Sequence, residues 1–473
     1  MEQRFLSEFC ERGLVSSERM AAIDANARSH GVTGLQLMES AGRALAERVQ
    51  AYGPGTVLIL CGKGNNGGDG CVAARYLQDV ADVTVLYPAE GMKTQDAAAN
   101  LAALSGCAVR TVPIRCAGDV GRAAPLFARA DVILDALLGT GAAGSLREPL
   151  RECIDYANGS PAKIIAADMP TPGLRADCIV AFHRPKVPGS EIAAIGIPLA
   201  AECYAGPGDL LLLPAKDAAA HKGDGGEVLV IGGGPYQGAP YLAGLAALRA
   251  GADIVRVATP APLPYPDLIT EVFSGDHFGP EHAERLEELA RRADVVVCGP
   301  GLGKKSGMVA ASVGLSARRA VFDADALSSP PVRARDTIVT PHAGEFERMF
   351  GTALPADLTE RARLIRSRAE GMTLLVKGRV DIISDGARVR FNATGAPAMT
   401  AGGTGDVLAG IAGALFYRLP AFEAAVAAAY VNGLAGMEVA AEKGDGLAAS
   451  DLLDRIPAKL LRKERTDGRI HAY

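Results

Sequence analysis

The sequence predicts an α/β protein of two domains, each built on a parallel, doubly wound sheet. Its 473 residues exceed what one hydrophobic core usually organises. Short apolar runs alternate with longer Ala- and Leu-rich stretches of helical period, the pattern of βαβ units. That pattern also restarts midway. The turn-rich Tyr204-Ala-Gly-Pro-Gly-Asp209 marks the junction, dividing the chain into residues 1–207 and 208–473.

In the first domain, helices are expected over residues 18–29 and 35–51, followed by a strand over Thr56–Cys61. A glycine-rich turn and a helix from about 69 to 78 come next, then strands near 82–87, 131–135, 163–167 and 178–182. The second domain opens with a strand over 228–231 and a helix over 239–250. Strands follow at 254–258, 294–298, 319–323, 337–340 and 373–377. Two further apolar runs, 382–384 and 389–391, flank Asp385-Gly386, a hairpin turn signal. The last helices start near Gly405 and span about 421–441. This final stretch is the longest apolar run, but Glu423, Asn432 and Glu438 interrupt it and disfavour a membrane span.

Hydrophobic residues make up 49% and charged residues 22%, ordinary values for a globular chain. A net charge of −5 gives no general attraction to nucleic acid or to an anionic membrane. Any phosphate site must therefore be local, made of backbone N–H groups and a few lysines. The nine cysteines include no Cys-x-x-Cys pair, and several, such as Cys61, Cys178 and Cys298, sit in apolar stretches. They read as free thiols in a reducing compartment. The first residues are charged throughout and lack an apolar signal core, so a cytoplasmic location is expected.

The densest motif of the first domain is Gly62-Lys-Gly-Asn-Asn-Gly-Gly-Asp-Gly70, between a strand and a helix. Glycines there let a ligand approach the backbone, and the helix start offers free N–H groups to a phosphate. Asn65, Asn66 and Asp69 add amides and a carboxylate. Two more loops follow strand ends: Asp135-Ala-Leu-Leu-Gly-Thr-Gly141 and Asp168-Met-Pro-Thr171. Oxygens of Asn66, Asp135 and Thr171 together suit a hard monovalent or divalent cation. Taken singly, each aspartate reads equally well as a helix cap.

With Leu37-Met-Glu-Ser-Ala-Gly42 upstream, these motifs resemble the NAD(P)H-hydrate epimerase domain, a Rossmann-like fold, over roughly residues 16–200. The resemblance implies potassium held by Asn66, Asp135 and Thr171. It implies substrate contacts from Asn65, Asn66, Gly67, Gly68 and Asp69, and from Gly139, Thr140, Gly141, Ala142, Ala143, Gly144 and Ser145. Asp168 joins them and is the candidate for proton transfer at the epimerised carbon. The family pattern is Asp-x-Pro-Ser-Gly; here Thr171 replaces the serine and Pro172 intervenes before Gly173.

In the second domain, His221-Lys-Gly223 precedes a strand ending in Gly232-Gly-Gly234. Later strands end in Gly299-Pro-Gly-Leu-Gly303, Asp323-Ala-Asp-Ala-Leu327 and Thr340-Pro-His-Ala-Gly-Glu345. Lys377-Gly378 closes another, and Ala401-Gly-Gly-Thr-Gly-Asp406 opens a long helix. Gly402 to Gly405 can form an anion-binding nest at that helix start, and Asp406 stands where a base is useful. Singly, Asp323, Asp325, His342 and Lys377 read as caps or solvated loop residues. So many such loops at strand ends are hard to explain as turns alone.

The order of these loops resembles the ribokinase-like superfamily. Within it, His-Lys-Gly, Gly-Pro-Gly-Leu-Gly, Pro-His-Ala-Gly-Glu and Gly-Gly-Thr-Gly-Asp resemble the NAD(P)H-hydrate dehydratase domain, from about 208 to 460. The resemblance implies that Ala239, Gly301, Gly303, His342 and Asp406 touch the hydrated nucleotide. ADP would be held by Lys377, Gly378, Arg379, Val380 and Asp381, and by Ala396, Pro397, Ala398, Met399, Thr400, Ala401, Gly402, Gly403, Thr404 and Gly405. The implied activity is repair of hydrated NADH and NADPH: epimerisation of the R and S hydrates, and ADP-dependent dehydration of the S form to give AMP and phosphate. ADP with Mg2+ would serve the dehydratase and K+ the epimerase, in a homo-oligomeric assembly without nucleic-acid or membrane partners. Two other readings stand beside this one. The chain is a ribokinase-like small-molecule kinase with an appended nucleotide-binding module, or its first half is a non-catalytic nucleotide sensor.

Overall fold

Seven strands form the first sheet of the chain, whose structure here is a computed structural model. It describes residues 4–139, 146–217, 219, 221, 223–306, 308–327, 332–461, 463–466 and 469–472. The strands are β1 (Thr56–Cys61), β2 (Asp82–Pro88), β3 (Val109–Ile114), β4 (Val132–Ala136), β5 (Lys163–Ala167), β6 (Cys178–Phe182) and β7 (Glu191–Ala193). Their order is β3-β2-β1-β4-β5-β6-β7, and every pairing is parallel. Central strands such as β4 are buried along their whole length, as parallel strands covered on both faces must be. The connection reverses between β1 and β4, which opens a crevice at their C-terminal ends.

The second sheet has nine strands. These are β8 (Glu227–Ile231), β9 (Ile254–Thr259), β10 (Ile269–Val272), β11 (Val295–Cys298), β12 (Arg319–Phe322), β13 (Asp336–Val339), β14 (Thr373–Val376), β15 (Asp381–Ser384) and β16 (Val389–Asn392). The order is β10-β9-β8-β11-β12-β13-β14-β15-β16, parallel up to β14 and antiparallel beyond it. Ser384 pairs with Val389, so Asp385-Gly386 does sit in a hairpin turn. The reversal here lies between β8 and β11. Helices Ala239–Arg249, Thr404–Arg418 and Ala421–Lys443 supply much of the core on one face. The last is long and apolar enough to cross a membrane by length and composition, yet 72% of its most apolar window is buried. It is apolar nearly all round because it packs inside the domain.

The chain divides into two compact units. One is Glu11–Ala201. The other joins Met1–Cys10 to Glu202–Tyr473. Within the latter, the short helix Arg4–Glu8 is tied down: the rings of Phe5 and Phe9 stand edge-on to Phe391 at 5.7 and 5.4 Å, and Glu8 takes an ion pair from Arg363.

Strand positions follow the apolar runs closely, and the differences have local causes. The helix expected from about 69 is Asn65–Leu77, four residues earlier, so the Asn-Asn-Gly-Gly-Asp motif forms its first turns. Glycine serves close packing there: a Cβ on Gly67 would lie 2.0 Å from the Gly62 carbonyl oxygen. Strands β3, β7 and β10 were not expected. β3 mixes Arg110, Thr111 and Pro113 into its run, and β7 is three residues long.

Candidate active sites

In the unit Glu11–Ala201, the loops after β1, β4, β5 and β6 meet at the C-terminal edge of the sheet. Asp135, the penultimate residue of β4, is 1% exposed, and Thr171, after β5, is equally buried. The Thr171 hydroxyl donates to Asp135 Oδ1 at 2.9 Å, and the Thr171 N–H to Oδ2 at 2.8 Å. Asn66, in the first turn of its helix, donates its amide N–H to the carbonyls of Leu138 and Ala167, both at 3.1 Å. Gly139 packs against this amide, with its Cβ direction 2.7 Å from Asn66 Oδ1. Burial pushes the Asp135 carboxyl up, opposed by hydrogen bonds from Thr171 and Leu137 rather than by a basic side chain.

Asp168 stands directly after β5 in a left-handed conformation, φ +66°. Non-glycine residues held there cluster at functional sites. Its Oδ1 receives the Lys186 ammonium at 2.5 Å, and both side chains are under 10% exposed. Asp69 is buried in the helix after β1, and its carboxyl is pushed well up by burial and by the charges of Asp168 and Asp24. Asp24, on helix Ser17–Ser29, is pushed up to about 6 by burial, with Arg28, Lys186 and His183 opposing. Asn65 lies at the rim, accepting from Thr94 at 2.8 Å. Gly67 and Gly68 are buried in the same helix. Residues 140–145, expected to contact substrate, lie outside the described residues.

In the second unit, the segments after β12, β13 and β14 converge on one cluster with the start of helix Thr404–Arg418. Asp323, after β12, is 2% exposed and accepts from Lys377 Nζ at 2.8 Å. Lys377 follows β14, and Glu345 lies 3.9 Å from the same ammonium. The start of helix Thr404–Arg418 faces this pair: a Cβ on Gly405 would lie 3.4 Å from Lys377 Nζ and 3.9 Å from Asp323 Oδ2. Gly403 caps the helix at φ +96°, a conformation open to glycine at no steric cost. Asp406 occupies the first turn. Burial, then the Asp323 charge, push its carboxyl up to about 7, and Lys377 opposes. Lys377 itself is pulled down by burial but held above its ordinary value by Asp323 and Glu345.

His342 caps helix Ala343–Phe350. Its Nδ1 accepts the N–H groups of Gly344 and Glu345 at 3.1 and 3.2 Å, and Glu345 accepts the His342 N–H at 2.8 Å. Nδ1 is thereby an acceptor, so the neutral ring carries its proton on Nε2, and the side chain is 55% exposed. Gly301 (φ +70°) packs against the Tyr236 carbonyl and Ala239, the first residue of its helix. Gly303 donates its N–H to Asp325 at 2.9 Å. Gly378 donates to Asp381 Oδ1, and Asn392 to Oδ2, which clamps the turn holding Arg379 and Val380. Residues 396–401, a partly exposed 3-10 turn over Pro397–Thr400 with its flanks, are tied down by the Thr404 hydroxyl through the carbonyls of Met399 and Ala401.

Two residues of these clusters, Lys186 and Asp24, belong to no motif in the sequence, while Asp323 and Glu345 stand in strand-end motifs that assign them no role. A signal existed for Asp323, an acid immediately after an apolar run, as at Asp168. Lys186 and Asp24 lie in unremarkable polar segments, and only the fold brings them to Asp168.

Two family models match the chain: NAD(P)H-hydrate dehydratase over residues 228–458, and the YjeF-related protein N-terminus over residues 34–187. The bifunctional NAD(P)H-hydrate repair enzyme of Methanospirillum hungatei is 52% identical over 456 residues, covering 96% of this chain and 95% of its own. The Archaeoglobus fulgidus enzyme of the same description is 40% identical, covering 95% and 98%. Among solved structures, an ADP/ATP-dependent NAD(P)H-hydrate dehydratase from Bacillus subtilis, co-crystallised with ATP and Mg2+, is 27% identical. It covers 54% of this chain and 97% of its own, with a TM-score of 0.48.

Proposed function

Because the chain belongs to the family of bifunctional NAD(P)H-hydrate repair enzymes, we propose that it returns hydrated NADH and NADPH to their working forms. The unit Glu11–Ala201 epimerises the hydrates, and the second unit dehydrates the S form. The observation that carries the dehydratase reading is Asp406, held to about 7 at a helix start that faces the Asp323–Lys377 pair.

The hydrate carries a hydroxyl on the ring carbon beside the ring nitrogen, and hydroxide is a poor leaving group. Asp406 takes the proton of that hydroxyl. A base whose pKa lies near the working pH does this best. The freed oxygen attacks the terminal phosphorus of ADP, and AMP departs. Lys377 and the N–H groups at the start of helix Thr404–Arg418 face the charge on the moving phosphoryl group. Phosphate then leaves the ring carbon as a proton leaves its neighbour, which restores the double bond. Mg2+ would come with the nucleotide, whose phosphate oxygens suit it. His342, whose Nε2 lies 3.3 Å from Glu345 Oε1, presents its exposed ring to the hydrated nucleotide, and Gly301 and Gly303 let that nucleotide approach the backbone.

In the first unit the donor set fits potassium. Asp135, Thr171 and Asn66 all carry hard oxygens, Asp135 is a buried carboxylate, and the carbonyls of Leu138 and Ala167 lie against Asn66. One carboxylate among neutral oxygens suits a monovalent ion. When bound, the cation neutralises Asp135 and fixes the loops after β4 and β5. Asp168 is the group for proton transfer to or from the substrate hydroxyl.

The test supplies hydrated NADH with ADP, or with ATP, and follows the near-ultraviolet absorbance of the reduced ring. Full recovery from a mixture of epimers with ADP is expected. Recovery that stops at one epimer removes the epimerase assignment. Better turnover with ATP removes the ADP assignment.

A further inference from the structure

Asp168 does not stand alone. It meets a buried ammonium, and its charge acts on two other acids, Asp24 and Asp69; the four residues come from four parts of the first unit. Asp24 comes from helix Ser17–Ser29, Asp69 from helix Asn65–Leu77, Asp168 from the end of β5, and Lys186 from the segment after β6. The side chains of Lys186 and Asp168 are 4% and 8% exposed and meet at 2.5 Å. A buried ion pair is weak evidence for stability, since desolvation cancels much of its attraction. Setting this pair on a strained φ of +66°, at the ligand-binding edge of the sheet, needs another reason.

We infer that Lys186 is a positioning residue for epimerisation, fixing the Asp168 carboxyl group so that one oxygen is aimed at the substrate hydroxyl. This rests on the epimerase reading above. An enclosed, charge-assisted contact is short and directional, so it fixes the group it touches. Lys186 makes that contact at Oδ1 and leaves Oδ2 as the oxygen for the substrate. The other charged groups facing the cluster are Arg28 and His183, which act on Asp24. Lys186 is too enclosed to meet the substrate, so it acts through Asp168.

The experiment compares wild type, Lys186→Met and Lys186→Arg as full-length chains. It starts from a single epimer and measures kcat and KM for interconversion across pH, against the uncatalysed background. ADP-dependent dehydration of the S hydrate, which uses the other unit, reports that each variant is intact. Lys186→Met should lose about tenfold or more in kcat with little change in KM. Lys186→Arg keeps the charge and the donor and should recover most of the rate. If Lys186→Met keeps the wild-type kcat, the inference fails. It also fails if both variants are equally slow, because then only packing matters. If Lys186→Met does not fold, Lys186→Arg decides alone: a rate near that of wild type supports a charge role, and background rate overturns it. A wild type no faster than background removes the epimerase reading, and this inference with it.

Discussion

Replacing Asp406 by Asn separates what the base costs from what it does. Burial and the nearby Asp323 hold its carboxyl at about 7, against 3.8 unperturbed. The folded value lies above the unfolded one. Between about pH 4 and pH 7 the unfolded chain therefore gives up a proton that the folded chain keeps, and stability falls as pH rises through that window. Above it the cost stands in full, about 4 kcal/mol for a completely buried group at about 1.4 kcal/mol per pH unit. Asp406 is only partly enclosed, so solvent screening reduces this to about 1–3 kcal/mol. Asn has the same size and no charge to desolvate. Asp406→Asn should therefore melt higher than wild type at pH 8, by about 2–4 °C per kcal/mol for a unit of this size. Below about pH 3 the two should converge, because Asp406 is then protonated in both states.

The same substitution should slow ADP-dependent dehydration about 10²-fold or more. Wild-type rate at saturating substrate should rise about tenfold from pH 6 to pH 8, following the ionised fraction of a group titrating near 7. Calorimetry across pH and the absorbance assay together make the test. An Asp406→Asn variant that melts no higher than wild type at pH 8 would show that the carboxyl is not held against its charge. One that keeps the wild-type rate would show that it is not the base.

Asp135→Ala removes the one carboxylate of the proposed potassium site, so epimerisation should fall close to background; in wild type, replacing potassium by sodium should slow epimerisation while leaving dehydration untouched. His342→Ala strips the cap from two backbone N–H groups and should cost about 1 kcal/mol, together with a several-fold rise in KM for the hydrate. His342→Asn restores the cap, so calorimetry should show recovered stability while KM stays high; recovery of both would confine His342 to capping.

The strands were legible because parallel strands buried on both faces must be apolar along their length. β5 and β6 coincide with their runs at 163–167 and 178–182. β3 was not legible, because an outer strand half open to solvent accepts Arg110 and Thr111. The Gly-rich helix starts four residues before the position its composition suggests. Glycine normally ends helices, and here close packing against Gly62 overrides that propensity. Motif residues at strand ends were legible wherever a family pattern repeats them. What stayed hidden was pairing. Whether an aspartate is a base, a cation ligand or half of an ion pair depends on residues far away in sequence, and Asp168 meets Lys186 only once β5 and β6 are adjacent.

Pairing also explains why two similar constellations do different work. Each unit places a lysine against an aspartate at the C-terminal edge of its parallel sheet: Lys186 on Asp168, and Lys377 on Asp323. In the first unit the paired aspartate is the proposed base, and the lysine fixes one of its oxygens. In the second, Lys377 is committed to Asp323, and the proposed base is the unpaired Asp406 beside them. Burial then outweighs the more distant ammonium, and the carboxyl rises to about 7. A base of that strength suits the removal of a proton from a hydroxyl that must attack phosphorus. The lysine, already neutralised by Asp323, still presents an ammonium toward the helix start where the phosphoryl group would lie. If the two lysines exchanged roles, Asp406 would be an ordinary ionised acid and too weak a base for that step near neutral pH. The division of charge between neighbours, more than the identity of the acid, sets what each site does.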